Sequence, residues 1–274
     1  MHKKKKVVEG VIDGFKEKFS DMSSVSFSPM HNFLGIKMSF TDNSRVCIDM
    51  REYLGKAVSL YGKEGMKPVT ILARNKLRII NRSSPILDNE KRKNFCSIVI
   101  LLMYIAYRER KDIRPTVSFL STRVSSPTEE DNEKLRRLIR YIVGSIDKLL
   151  YLGASNLSVL LNFIDVVYGV SNNMKSYTGE ASTFRYGMFS FMLLKQKLNT
   201  TSLTTAELVG VANYLLKVSY FRNFLEAQGV EVKRNIILQV NQSVILMEKN
   251  RRRWCSKRTQ YLDMRYFYVK DVVE

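Results

Sequence analysis

Carboxylates are the side chains of this sequence best placed to do chemistry. The chain has only His2 and His31, so imidazole catalysis or a histidine metal site has little to draw on. Cys47, Cys96 and Cys255 are odd in number, far apart and without CxxC spacing, which suits reduced intracellular thiols better than a disulfide frame or a zinc site. Three acids stand out by their surroundings. Asp165 lies inside the apolar run "LLNFIDVVYG", where an ionised carboxylate is costly unless it is paired or metal-bound. Glu207 opens a helical stretch, and Asp263 lies near the C-terminus in "TQYLDMRYFYVKD". Each has a plainer explanation. The strand could end early and leave Asp165 in water, Thr204 and Glu207 could form a capping box, and Asp263 could pair with Arg265 or Lys257. Taken together, they suggest a cluster for magnesium or manganese, which take hard oxygen ligands. Two such metals roughly 3.5–4 Å apart activate a water and stabilise the leaving oxygen of a phosphodiester.

The elements that must carry these acids follow from periodicity. "VVEGVIDGFKEKF" spaces Val8, Val11, Ile12, Phe15 and Phe19 as a helix does. "HNFLGIKMSF" and "RVCIDM" read as two strands around the turn "TDNS", and "MREYLGKAVSLYG" as a helix stopped at Gly62. A loop with Pro68 and "NRSSPILDNE" (81–90) serves as a lid or linker, and residues 91–120 are helical. In "SSPTEEDNEKLRRLIRYIVG", Ser126 caps, Pro127 takes the first helical position and Glu129 completes an S-x-x-E box. Leu135, Leu138, Ile139 and Ile142 face inward. Beyond about residue 155, "LSVLLNFIDVVYGV" reads as a buried central strand and "STFRYGMFSFMLLKQK" as further antiparallel strands. "TTAELVGVANYLLKVSYFRNFLEAQG" is a long helix with Val209, Ala212, Leu216 and Phe224 inward. "NIILQV" is a strand and "QSVILMEKN" a helix. This order predicts an α/β (α+β) chain in which a mixed sheet carries helices.

Charge bounds the partners. Forty-five Lys and Arg against 26 Asp and Glu give a formal net charge of +19, an excess that attracts polyanions. In "KNRRRWCSKR", Lys249, Arg251, Arg252, Arg253, Lys257 and Arg258 surround Trp254, so cations could neutralise phosphates while the indole stacks. A solvated basic loop around a buried Trp is the alternative. The longest apolar stretch, "CSIVILLMYIAY", is too short to span a bilayer, and "MHKKKKVVEGVIDGF" lacks the apolar core of a signal peptide. An intracellular chain with no membrane partner is expected.

Residues 165–273 resemble the ribonuclease H domain of copia-type retrotransposon polyproteins. The resemblance rests on "IDVVYGVSNNMKSYTG", "KQKLNTTSLTTAELVG", "FLEAQGVEV", "QVNQSVILMEKN" and "KRTQYLDMRYFYVKD". Upstream, "FLGIKMSF", "RERKDIRPTVSFLSTRVSSPTEEDNEKLRRLIRYIVGS" and "LYLGA" are similar to the region between polymerase and ribonuclease H in the same polyproteins. The family has four acids in its nuclease site. The resemblance puts the first on Asp165, the second on Glu207 and the fourth on Asp263, with Tyr261 at the family's histidine position. Thr205 stands where the family has another glutamate. The third acid belongs to a Gln-Asp-Asn-Gln-Ser segment, and this chain reads "QVNQS". Val240 therefore occupies a ligand position with a side chain that has no lone pair.

The resemblance implies a C-terminal ribonuclease H-like mixed sheet with flanking helices. Ahead of it would lie a mainly helical thumb- or connection-like region of a reverse transcriptase with a β-hairpin. The expected divisions are residues 1–110, 111–158 and 159–274. The implied function is that of a C-terminal remnant of a Pol polyprotein, binding RNA·DNA hybrid and keeping company with the rest of that polyprotein. Its magnesium- or manganese-dependent hydrolysis would be impaired at Val240. No Tyr-x-Asp-Asp polymerase motif occurs in the chain. The competing reading is a non-enzymatic nucleic-acid-binding module on the same fold.

Overall fold

A computed structural model describes residues 5–19, 28–41, 45–62, 66–72, 77–169, 174–242 and 244–245. In chain order its elements are α1 (Lys5–Lys18), β1 (Met30–Phe33), β2 (Ile36–Thr41), β3 (Arg45–Asp49), α2 (Arg51–Tyr61) and α3 (Asn89–Arg108). A 3-10 turn (Lys111–Ile113) leads into α4 (Arg114–Ser121) and α5 (Glu129–Val143). Then come β4 (Leu150–Ala154), β5 (Val159–Val167), β6 (Tyr177–Thr183), β7 (Arg185–Tyr186), β8 (Met188–Lys195), α6 (Leu203–Ala227) and β9 (Arg234–Gln239). The chain is therefore mixed α/β, as expected, with two sheets. None of the described helices is long and apolar enough to cross a membrane.

The first sheet is antiparallel in the order β1-β2-β3-β4-β7, and helices α2 to α5 fill its core. "HNFLGIKMSF" is not one strand but two. Leu34 and Gly35 both take positive φ (51° and 74°) and make the two-residue hairpin turn that joins β1 to β2. Helix α3 starts at Asp88, whose carboxylate accepts the Lys91 amide at 2.8 Å. Helix α5 is capped two residues later than the sequence suggests. Thr128, not Ser126, is the N-cap, and Asp131 rather than Glu129 completes the box. Asp131 is the better choice because it also takes Arg123 at 3.1 Å, which lets it sit buried. Leu135, Leu138, Ile139 and Ile142 are fully buried, as their spacing predicts. The 81–90 segment is pinned rather than lid-like. Ile86 bridges Thr128, and the Glu129 amide donates to the Pro85 carbonyl at 2.9 Å. Val11, Phe15 and Phe19 of the first helical segment remain exposed.

The second sheet has the order β8-β6-β5-β9, antiparallel except for the parallel pair β5–β9. Such a mixed sheet with a long helix laid on it is what the ribonuclease H-like expectation requires. Alternate residues of β5 (Leu160, Asn162, Ile164 and Val166) are buried under α6, while Phe163, Asp165 and Val167 face the other way and are exposed. Gly210 allows the close approach, since a Cβ there would lie 3.0 Å from Val166. A buried polar chain fixes the register. Asn162 donates to Asn235 at 2.8 Å, Ser182 donates to Asn162 at 2.9 Å, and Tyr214 of α6 donates to the Ala181 carbonyl at 2.8 Å. Val209 and Ala212 point inward as expected, but Leu216 (63%) and Phe224 (53%) are exposed. Leu215 and Val218 are buried instead, so the inward face of α6 runs through them and leaves Leu216 on the outer side.

The two sheets meet at β7. This two-residue strand lies between β6 and β8 in sequence, yet it pairs with β4, Gly153 to Tyr186 and Ala154 to Arg185. Arg185 (φ 87°) and Gly187 (φ 66°) turn the backbone out and back, and a Cβ on Gly187 would run into the Tyr151 carbonyl. Arg45 stacks on Tyr186 at 3.8 Å. Beside this crossing lies an apolar pocket of about 340 Å³ lined by Leu152, Leu157, Phe184 and Phe189 among others.

Candidate functional site

The C-terminal end of β5 brings together two of the three acids. Asp165 is the antepenultimate residue of the strand, directly opposite Gly179 of β6, whose missing side chain leaves the space beside the carboxylate open. The expected desolvation cost does not fall on Asp165, because strand parity turns it away from α6 and toward solvent. It falls on Glu207, which is 4% exposed. Glu207 is no capping-box residue. Ser202 caps α6 by accepting the Thr205 amide at 3.1 Å, so Glu207 lies one turn further in.

Burial pushes the Glu207 carboxyl up to about 7, and the nearby Asp165 charge pushes in the same direction. The amide of Gln239 reaches it at 3.5 Å and opposes the shift weakly. The two acids thus share one electrostatic neighbourhood. Glu180, which sequence reasoning missed, is another buried acid on the α6 side of the sheet. It is engaged by Lys217 at 3.7 Å and is not part of the pair. Its alternation within "YTGEAST" was the available signal.

Ile164 and Gln239 are the last paired residues of β5 and β9, and Val240 follows directly on Gln239. Val240 has left the strand and is 79% exposed, a hydrophobic side chain standing in water at the rim of the acid pair. Asp263 and the basic segment with Lys249, Arg251, Arg252, Arg253, Trp254, Lys257 and Arg258 lie outside the described residues. Among the described residues no group of three or more His, Cys, Asp or Glu could hold a metal ion. Asp165 and Glu207 are the described carboxylates here, and magnesium takes one or two protein carboxylates beside waters and substrate phosphates.

Comparisons with known proteins give the chain its relatives. It is 26% identical over 269 residues to the retrovirus-related Pol polyprotein from transposon TNT 1-94 of Nicotiana tabacum, covering 96% of this chain and 20% of that polyprotein. It is 26% identical over 231 residues to the retrovirus-related Pol polyprotein from transposon RE1 of Arabidopsis thaliana, covering 83% of this chain and 15% of that one. An uncharacterized mitochondrial protein of Arabidopsis thaliana is 27% identical over 69% of this chain and 77% of its own length. The chain thus spans a fifth or less of each of these two polyproteins. No family model and no solved structure matches it. Retrovirus-related Pol polyproteins of copia-type transposons are thus among the homologues of this chain.

Proposed function

We propose that the chain is a remnant of a reverse transcriptase and ribonuclease H region. Residues 159–274 would be its nuclease-derived part, whose phosphodiester hydrolysis is weak or lost. The observation that supports this reading is that Glu207, in the first turns of α6, feels the Asp165 charge, while Val240 directly follows the last residue of β9 that pairs with β5. Asp165 and Glu207, remote in sequence, interact electrostatically, and Val240 supplies no oxygen. In this reading Asp165 and Glu207, with Asp263, are the surviving ligands. Hybrid of RNA and DNA is the ancestral substrate, and magnesium or manganese the ancestral metal.

Cleavage of a labelled RNA·DNA hybrid in manganese tests the proposal. The wild type turns over at or near background, and Val240→Asp raises the rate at least tenfold. That gain disappears in Val240→Asp combined with Asp165→Asn. Robust wild-type cleavage abolished by Asp165→Asn would overturn the claim of impairment. The missing carboxylate also favours a second reading, a nucleic-acid-binding module without catalysis. In that case Val240→Asp restores nothing, while salt-sensitive hybrid binding persists.

A further inference from the structure

An apolar surface runs along the outer side of α6. Leu216, Tyr220 and Phe224 are spaced four by four, so they share one face of the helix, and each is more than half exposed. The buried face, with Tyr214, Leu215 and Val218, lies on the other side. The surface does not stop at the helix. Phe224 stacks on Tyr220 with ring centres 6.3 Å apart, Tyr220 leans on Phe221 at 6.0 Å, and Phe221 meets Phe189 of β8 edge-on at 5.2 Å. Phe189 in turn stacks on Phe184 at 5.2 Å, and both line the apolar pocket beside β7 together with the half-exposed Leu157.

Charge sets this surface apart from the rest of the molecule. The chain carries a formal net charge of +19, so two copies repel one another in most orientations. Helix α6 holds four charged residues in 25, and each is buried or paired. Glu207 is buried near Asp165, Lys217 reaches Glu180 at 3.7 Å, and Arg222 pairs with Glu226 at 2.9 Å. Rings without net charge are the composition of an interface centre, so self-association is least opposed here. The spacing also suits a second copy. In an antiparallel pair about a two-fold axis at Tyr220, Leu216 of one copy meets Phe224 of the other, and no charge is stranded. A half-exposed aromatic or leucine side chain still offers roughly 100 Å² to a partner. Leu157, Leu216, Tyr220 and Phe224, with the edges of Phe189 and Phe221, then supply roughly 500–600 Å² per copy, about 1,000–1,200 Å² for the pair. That is the low end of specific interfaces, and it sets the expectation of a dimer that dilution takes apart.

We propose that the outer side of α6, continued through Phe221 and Phe189, is a self-association surface, on which two copies of the chain pair antiparallel with their Tyr220 rings at the two-fold axis. The pairing needs no metal and no nucleic acid, and it does not rest on the acid pair of β5 and α6.

Sedimentation equilibrium of the full chain, freed of nucleic acid and kept reduced, tests the proposal over about 1 to 200 µM. The average mass rises with concentration toward that of two chains. Raising sodium chloride from about 0.1 M to about 0.5 M tightens the pairing about threefold, because salt screens the repulsion between two strongly cationic chains. Association bridged by nucleic acid or by ion pairs weakens with salt instead. Tyr220→Asp, at an exposed position, weakens the pairing about tenfold, and Leu216→Gln carries the comparison if that variant does not fold. Under diamide, Tyr220→Cys becomes a covalent dimer, whereas Arg222→Cys, on another side of the helix, stays at the wild-type level. A single-chain mass at every concentration overturns the proposal without reference to any variant. Pairing that ignores Tyr220→Asp and Leu216→Gln, or that salt dissolves, overturns this surface as its seat. Pairing that Tyr220→Asp breaks but Tyr220→Cys does not cross-link overturns the antiparallel arrangement. Neither readout involves Asp165 or Glu207, so the cleavage experiment and this one fail separately.

Discussion

Replacing Glu207 with glutamine separates the charge of this acid from its shape. The folded carboxyl is raised from 4.5 to about 7, chiefly by burial and secondarily by Asp165. At about 1.4 kcal/mol per unit, ionising it costs the native state up to about 3 kcal/mol relative to the unfolded chain. The sign follows from the direction of the shift. Below 4.5 the group is protonated in both states and costs nothing. The cost grows as pH rises toward 7, and above that it is fully present. Glu207→Gln should therefore match the wild type near pH 4 and exceed its stability by about 3 kcal/mol near pH 8. Urea denaturation of both proteins at the two pH values measures this, and taking their difference cancels every other titrating group. Because Asp165 is the second cause of the shift, Asp165→Asn should shrink the gain. A stability difference that is the same at both pH values, or a Glu207→Gln protein that is less stable near pH 8, refutes the reasoning.

Glu109 should behave with the same sign. It is 3% exposed, and burial, opposed by the Met50 backbone amide, raises it from 4.5 to about 7. Glu109→Gln should gain about 2–3 kcal/mol near pH 8 and nothing near pH 4, read by the same denaturation series. Asp131 holds the Thr128 amide and hydroxyl, each at 3.0 Å, together with Arg123. Asp131→Ala should cost about 3 kcal/mol by thermal or urea melting, since it removes a cap and strands a half-buried guanidinium.

What could be read from the sequence was mostly what periodicity encodes. The inner face of α5, the central position of β5 and the length of α6 all follow from spacing alone, because burial on one face leaves a repeat. The cap of α5 did not follow, since Ser126 and Thr128 are both good caps. The choice turned on Arg123, which meets Asp131 only once the helix is folded. Leu216 and Phe224 are apolar yet exposed, because α6 is apolar around most of its circumference and spacing alone does not pick the face that meets the sheet. In the site, Asp165 and Glu207 were visible as acids in apolar company. Which of them bears the cost was not, because that depends on strand parity relative to α6.

Strand β7 has a consequence for anyone who would cut this chain in two. Its backbone groups are satisfied by β4, so a protein beginning near residue 159 would carry Arg185 and Tyr186 with a bare ladder edge beside the apolar wall of Phe184 and Phe189. Such an edge recruits strands from neighbouring molecules. The excised half should therefore be stickier than the whole, dimerising or precipitating at concentrations where the intact chain stays dispersed.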